Sequence, residues 1–374
     1  MRLQRKTLVV FVTMCLLFAA STMSAYAAGS NATFRVIPPV NTGTFPQLFA
    51  VSMSSTTDAW AVGNTSNASN SASFTLAEHW NGQNWQVVPT PNPSSISVEF
   101  TSVADLSPTS AWAIGSSEDS NNILSPLIEH FNGRAWSIVP PAADNGAIQA
   151  TFNAIAGASA NDVWITGSHE DATTAATIGF TEHWNGSAWS FVPVPAGVTG
   201  VGALSVVSSN DIWAAAATSS NPSPFMHWNG SAWSLVPAPA ITNRIPDIQS
   251  ITGISATDVW AVGNSAAGRF DPLQSLIEHW DGKSWKIVPS PAGISTGNFP
   301  WSVAAVSSND VWALVTESAT AAHWDGSAWS LVQLPVPSGS QFNILNSVAA
   351  VHTGTVIAAG RSDNGIFAVL SSNA

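Results

Sequence analysis

One tryptophan returns along this chain at nearly constant intervals, and no other feature restricts its fold as much. The segment Asp58-Ala59-Trp60-Ala61-Val62-Gly63 recurs around Trp112, Trp164, Trp213, Trp260 and Trp312, at spacings of 52, 52, 49, 47 and 52 residues. A degenerate copy without the aromatic stands at Val356-Ile357-Ala358-Ala359-Gly360. Between copies lies a second element, Glu78-His79-Trp80-Asn81-Gly82-Gln83-Asn84-Trp85, whose later versions centre on Phe131, Trp184, Trp228, Trp280 and Trp324. Of the 18 tryptophans, only Trp301 falls outside these slots. A period near fifty residues marks an array of supersecondary units, each of which needs its neighbours to bury its apolar face.

Each unit reads as four short strands bounded by turn residues. The first is apolar with small residues, as in Phe100-Thr101-Ser102-Val103-Ala104, and the second is the Val-Trp-Ala-Val type of segment. The third runs into Trp80, where Asn81-Gly82 signals a hairpin of the type I′ class. The fourth starts at Trp85 and stops at prolines. Cross-strand parity puts Trp80 and Trp85 on one face and His79 on the other, so the tryptophan pair is expected to wedge between units. Buried, each tryptophan contributes at most ~4–6 kcal/mol from ~150–250 Å².

First and second strands occur seven times, whereas the complete hairpin of third and fourth strands occurs six times. The missing fourth strand is found at the other end, where residues 32–39 align with residues 187–194 and Phe34 takes the tryptophan slot. The expected fold is an all-β, seven-bladed β-propeller with four antiparallel strands per blade, its ring closed by the N-terminal strand completing the last blade. An open solenoid would need capping repeats, whereas here the two ends are complementary halves of one unit.

The Trp-x-Val-Gly strand followed by an aromatic-Asn/Asp-Gly-x-x-Trp hairpin ending in proline resembles the kelch repeat and the propeller of galactose oxidase. The resemblance spans residues 28–374 and implies a fold rather than an activity. Kelch units carry a Gly-Gly doublet where this chain has single glycines, as at Gly63, Gly115 and Gly263, so the repeat is kelch-like. The chain beyond residue 27 has neither tyrosine nor cysteine. It therefore lacks the side chains for galactose oxidase's Tyr-Cys copper site and for a sialidase's tyrosine nucleophile.

Residues 1–27 read as a cleavable secretory signal: Arg2, Arg5 and Lys6, an apolar run from Leu8 to Ala20, then Ala25-Tyr26-Ala27. A secreted, extracellular or cell-envelope location follows, and no stretch has the ~20 apolar residues of a membrane span. Without that leader, 7 Lys and Arg face 22 Asp and Glu, a formal charge of 7 − 22 = −15. Counterion release cannot then drive binding to a polyphosphate, which argues against nucleic acid as a partner.

Six histidines (His79, His130, His183, His227, His279, His323) share the slot before the third-strand aromatic, preceded in four copies by glutamate. In such propellers these slots lie far from the axis, so they are expected to hydrogen bond backbone groups between blades rather than share a metal. No metal, cofactor or catalytic residue is assigned. Loops joining first to second strands are nearly uniform, whereas the loops on the opposite face vary. Binding is normally found on such variable loops, which gives the candidates Asp119, His169, Glu170, Asp171, Arg244, Arg269 and Asp271, with Trp301 as the tryptophan outside the repeat. The expected function is non-catalytic binding of a carbohydrate or protein ligand by a monomer. A polysaccharide lyase or glycoside hydrolase using Asp119, Glu170, Asp171 or Asp271 is the alternative, and a structural cell-surface repeat protein the third.

Overall fold

The computed structural model describes residues 32–372 apart from 38–39, 41–43, 68, 70, 95, 143–146, 219–224, 269–270 and 295. The expected leader over residues 1–27, prolines 38 and 39 and Arg269 lie outside the described residues. Among those described there are 28 strands and no helix. After β1 (Thr33–Ile37) come β2 (Thr44–Ser55), β3 (Asp58–Ser66), β4 (Ser73–Trp80) and β5 (Trp85–Val87). The same plan repeats in β6 (Ser97–Ser107), β7 (Ser110–Glu118), β8 (Leu124–Phe131) and β9 (Trp136–Ile138), and in β10 (Ala147–Ser159), β11 (Asp162–Asp171), β12 (Thr177–Trp184) and β13 (Trp189–Val192). It continues through β14 (Val198–Ser208), β15 (Asp211–Thr218), β16 (Phe225–Trp228) and β17 (Trp233–Val236). Next are β18 (Ile245–Ser255), β19 (Asp258–Ala266), β20 (Gln274–Trp280) and β21 (Trp285–Ile287), then β22 (Pro300–Ser307), β23 (Asp310–Val315), β24 (Thr320–Trp324) and β25 (Trp329–Gln333). The chain ends in β26 (Asn343–Ala350), β27 (Val356–Ser362) and β28 (Gly365–Ser372).

These strands form antiparallel four-stranded meanders, and β2–β5 and β6–β9 are joined into one eight-stranded sheet by a single parallel bridge, Ser73 to Ser97. β1 pairs antiparallel with β28, Phe34 opposite Ser371 and Val36 opposite Val369, and so supplies the fourth strand beside β26–β28. Among the described residues, no strand pairing joins that sheet to the sheet of β2. The two meet through side chains, with Ile37, Ile357 and Ile366 packing into one core with Leu48, Trp80 and Trp85.

Packing between sheets follows one rule. Each second-strand tryptophan enters the aromatic pair of the next sheet's hairpin: Trp60 lies 4.7 Å from Phe131 and 4.9 Å from Trp136, and Trp112 lies 4.9 Å from Trp184 and 5.3 Å from Trp189. Trp312, which has no such hairpin ahead of it, meets Phe34 of β1 edge-on at 5.0 Å. Trp80 and Trp85 sit opposite each other in register, as strand parity requires. The turn between them has four residues and departs from the type I′ expectation in its backbone, since Gly82, at φ 90°, is left-handed and Asn81 is not. Asn81 instead accepts the Gln83 and Asn84 amides on its Oδ1, both at 3.0 Å, which folds the loop without positive φ at Asn81.

Candidate functional site

The first strands β2, β6, β10, β14, β18, β22 and β26 contact one another in succession, and β26 contacts β2. Each breaks register with its second strand at the same place. Phe49 is the extra residue between Leu48 and Ala50, as are Thr101, Asn153, Gln249, Trp301 and Asn346 in their strands. In β14, Gly202 and Ala203 together oppose one residue. A bulge of this kind re-aims a side chain out of the pleat's alternation. All of these residues line one central cavity of about 650 Å³. The cavity thus carries a ring of side chains that a strict two-residue alternation would have assigned to other faces.

The bulges explain the repeated glycine. Gly63, Gly115, Gly167, Gly263 and Gly360 stand opposite the bulge onset, and a Cβ on any of them would come within 1.9–2.2 Å of a first-strand carbonyl oxygen. The small polar residues of the first strands tie neighbouring sheets together. Ser347 Oγ accepts from the Val51 amide (3.1 Å), Ser52 from Asp105 (3.0 Å), Ser205 from Gly253 (2.8 Å), Ser250 from Val303 (3.1 Å) and Ser302 from Val348 (3.0 Å). Asn153 Nδ2 donates to Val201 O at 2.8 Å, and Asn346 Nδ2 donates to Leu48 O at 2.7 Å.

Trp301 and Asn346 also wall a second cavity of about 370 Å³, with Leu273, Phe299, Thr316, Glu317 and Ile344. Its walls come from the variable loops and the strand ends beside them, so the two spaces adjoin on that side of the molecule. Asp247 is the titratable side chain among those lining the central cavity. Its Oδ2 accepts from Gln249 Nε2 at 2.7 Å.

Of the described residues among the ligand-contact candidates named from sequence, Trp301 alone lines the central cavity. Asp119 folds its own loop, its Oδ1 accepting from the Asn121 (2.8 Å) and Ile123 (3.0 Å) amides, which hold its carboxyl below the usual range. Asp171 does the same with Thr174 and Thr173 and is likewise held low. Arg244 is spent on Ser265 and on Pro272 O, which its Nη2 reaches at 2.9 Å. His169 packs edge-on against Phe180 at 5.8 Å beside a cavity of about 50 Å³. Glu170 sits in β11 opposite Thr177, and exposed Asp271 donates its amide to Gly268 O. The ring amides Asn153, Gln249 and Asn346, and Phe49, were not singled out from sequence, because a bulge cannot be seen in a pattern of alternation. Beside the inner strands, His352 bonds Val306 O at 2.9 Å. Asp105 is buried, accepts the Ser54 amide at 2.9 Å, and is pushed up to about 7 by desolvation.

The repeated histidines bond side chains rather than the backbone. Nε2 of His79, His183, His227, His279 and His323 donates to the aspartate that opens the second strand, at 2.6–2.9 Å, and His130 meets Ser110 there instead. Each imidazole also packs on its own sheet's tryptophan, as His183 does on Trp164 at 4.4 Å. The preceding glutamates are buried. Glu182 accepts the Ala142 amide, while both carboxyl oxygens of Glu129 and of Glu278 lack a partner among the described residues. Desolvation pushes Glu78 and Glu129 up to about 8 and Glu278 to about 7. Among the described residues, no three His, Cys, Asp or Glu side chains group to hold a metal ion.

No protein-family model and no curated protein matches the chain. Solved structures do. A structure of YCF48 bound to D1 peptide has a TM-score of 0.60 at 15% identity, covering 93% of this chain and 99% of that one. YCF48 from Cyanidioschyzon merolae has a TM-score of 0.56 at 14% identity over 90% of this chain and 98% of its own. The GH74 xyloglucanase from Xanthomonas campestris has a TM-score of 0.59 at 13% identity over 90% of this chain, which spans about half (53%) of the xyloglucanase. At these identities the likeness is one of fold: the chain is a β-propeller.

Proposed function

We propose that this chain is an exported, kelch-like, seven-bladed β-propeller that acts as a non-catalytic binding module. It holds a segment of another polymer across the central cavity and the loop-side cavity beside it. The blade count rests on treating the eight-stranded sheet as two blades joined by one bridge. The cyclic contacts of the seven first strands support it. The observation that carries the binding reading is the composition of the central cavity: two aromatics, three amides, hydroxyls and one carboxylate, Asp247. Glycoside hydrolysis ordinarily uses two carboxyl groups about 5–10 Å apart across the scissile bond; the central lining supplies one, Asp247, and the next, Glu317, belongs to the adjoining cavity. The fold is shared with a protein that holds a peptide and with a glycan-cleaving enzyme, so the test must score both outcomes. Polysaccharides and peptides offered to the full chain are expected to be retained, with retention cut about tenfold, or ~1.4 kcal/mol, by Trp301→Ala. Release of shortened or unsaturated saccharides, abolished by Asp271→Asn or Glu170→Gln, would replace this reading with the hydrolase or lyase one.

A further inference from the structure

The ring around the central cavity is biased in charge and aromatic character. Asn153 and Asn346 anchor their amide nitrogens on backbone carbonyls of the neighbouring sheet, and Gln249 anchors its own on Asp247. Each anchor uses one of the two N–H groups, so every ring amide keeps one donor and its oxygen for a guest. Those three oxygens accept no hydrogen bond from any described residue. Thr101 donates its hydroxyl proton to Ile114 O at 3.3 Å, which leaves its oxygen as an acceptor. The wall serines keep a proton each as the ring amides do, so the bias lies in charge and not in the count of donors. Among the described residues, Asp247 adds the one charge in the lining, and no lysine or arginine lines the cavity. Phe49 and Trp301 add aromatic faces.

Acceptor oxygens, one carboxylate and two aromatic faces together suit a cation that is also a multiple donor. An ammonium offers three N–H groups and a guanidinium five, and both are attracted to aromatic faces. The chain's formal charge of −12 adds long-range attraction of the same sign. Neutral sugars carry no charge to meet Asp247, and acidic glycans would be repelled. The adjoining cavity, walled by Leu273, Phe299 and Ile344 and also by Thr316 and Glu317, takes an apolar side chain and adds a second carboxylate to the site. Cationic and apolar side chains close together on one backbone are a property of polypeptides.

We infer that the central cavity selects a polypeptide segment presenting a lysine or arginine side chain beside an apolar one. This rests on the binding reading above. The probe is a fluorescent eight-residue glycine-serine peptide carrying one leucine and two lysines, offered to the full chain beside versions with glutamine or glutamate in place of lysine. A fully deacetylated glucosamine oligomer serves as the cationic glycan. The lysine peptide is expected to bind at least about tenfold more tightly than the glutamine peptide. Asp247→Asn is expected to cost about tenfold, and Asp281→Asn less than about twofold. The last is a matched loss of charge at a turn where other copies already carry asparagine, such as Asn81 and Asn132. Equal binding of lysine and glutamine peptides, both lost with Trp301→Ala, would overturn the inference and leave the binding reading standing. Equal losses from Asp247→Asn and Asp281→Asn would reduce the effect to general charge attraction and overturn the inference. Tighter binding of the glucosamine oligomer would overturn the choice of polypeptide. Retention of none of these probes, nor of any polysaccharide, would overturn both readings.

Discussion

The glycine that closes each Trp-Ala-Val-Gly segment connects sequence to site more directly than any other residue. Gly167 faces Phe152 at the onset of the β10 bulge, and a Cβ there would lie 2.2 Å from Thr151 O and 2.7 Å from the Phe180 ring. The bulge it permits is what delivers Asn153 to the cavity. Gly167→Ala is therefore expected to destabilise by ~1–3 kcal/mol, the range for forcing an extra methyl into a packed site. Gly200→Ala, whose Cβ would meet only Ala217 at 3.6 Å, is expected to stay within ~0.5 kcal/mol. Denaturant titration of both variants checks this, and equal effects would show that the glycine is not spacing the bulge. The glycine itself was conspicuous in the sequence as half of a kelch doublet. Its reason was not, because the carbonyl it avoids belongs to another strand.

Third strands were legible as to which face each residue takes, but not as to what each residue touches. The histidines were expected to serve the backbone, yet their partners are the aspartates that open the second strands. Those aspartates are part of the quoted repeat, so the pairing of two repeated ionisable slots was the available signal. Burial pushes Asp58 up, but hydrogen bonds from His79 and Ser54 outweigh it and leave the carboxyl below its ordinary range. The glutamate slot behaves in the opposite way. Its equivalents are Met226 and Ala322, both fully buried, so the position is apolar in character and favours the neutral acid. Because the folded-state values of Glu78, Glu129 and Glu278 lie near 7–8, above those of an unfolded glutamate, the folded protein holds more protons between about pH 4.5 and 8. Their contribution to stability is complete below about pH 4.5 and is lost as pH rises through about 7–8. The melting temperature is expected to fall across that window, and Glu129→Met is expected to raise it at pH 8 and shallow its slope. A flat profile in the parent protein would contradict the buried, neutral state of these acids.

The first and last described strands meet in one sheet, and the account of the fold depends on that pairing more than on any blade taken alone. The unequal count of first strands and hairpins was enough to place residues 32–39 beside the last sheet, and Thr33–Ile37 indeed pairs with β28. Function was less accessible for a physical reason. The named loop residues were chosen for charge, and charged loop residues here mostly fold their own turns, whereas the cavity, Asp247 apart, is lined by neutral residues, several of them brought inward by bulges. Without β1, the inner side of β28 would keep β27, but its outer edge would present unpaired backbone groups, and Trp312 would lose the ring of Phe34. Loss of a packed aromatic costs ~3–5 kcal/mol, and an open, apolar edge strand such as Ile366–Leu370 invites pairing with another chain. Deleting Thr33–Ile37 is expected to lower the melting temperature by about 5 °C or more and to produce concentration-dependent association in sedimentation. Phe34→Ala should reproduce the thermal loss without the association, since it keeps the strand's backbone. A deletion variant that melts like the parent protein and stays dispersed would mean that the first and last sheets hold together without this strand, through contacts such as Ser347–Val51 and Asn346–Leu48.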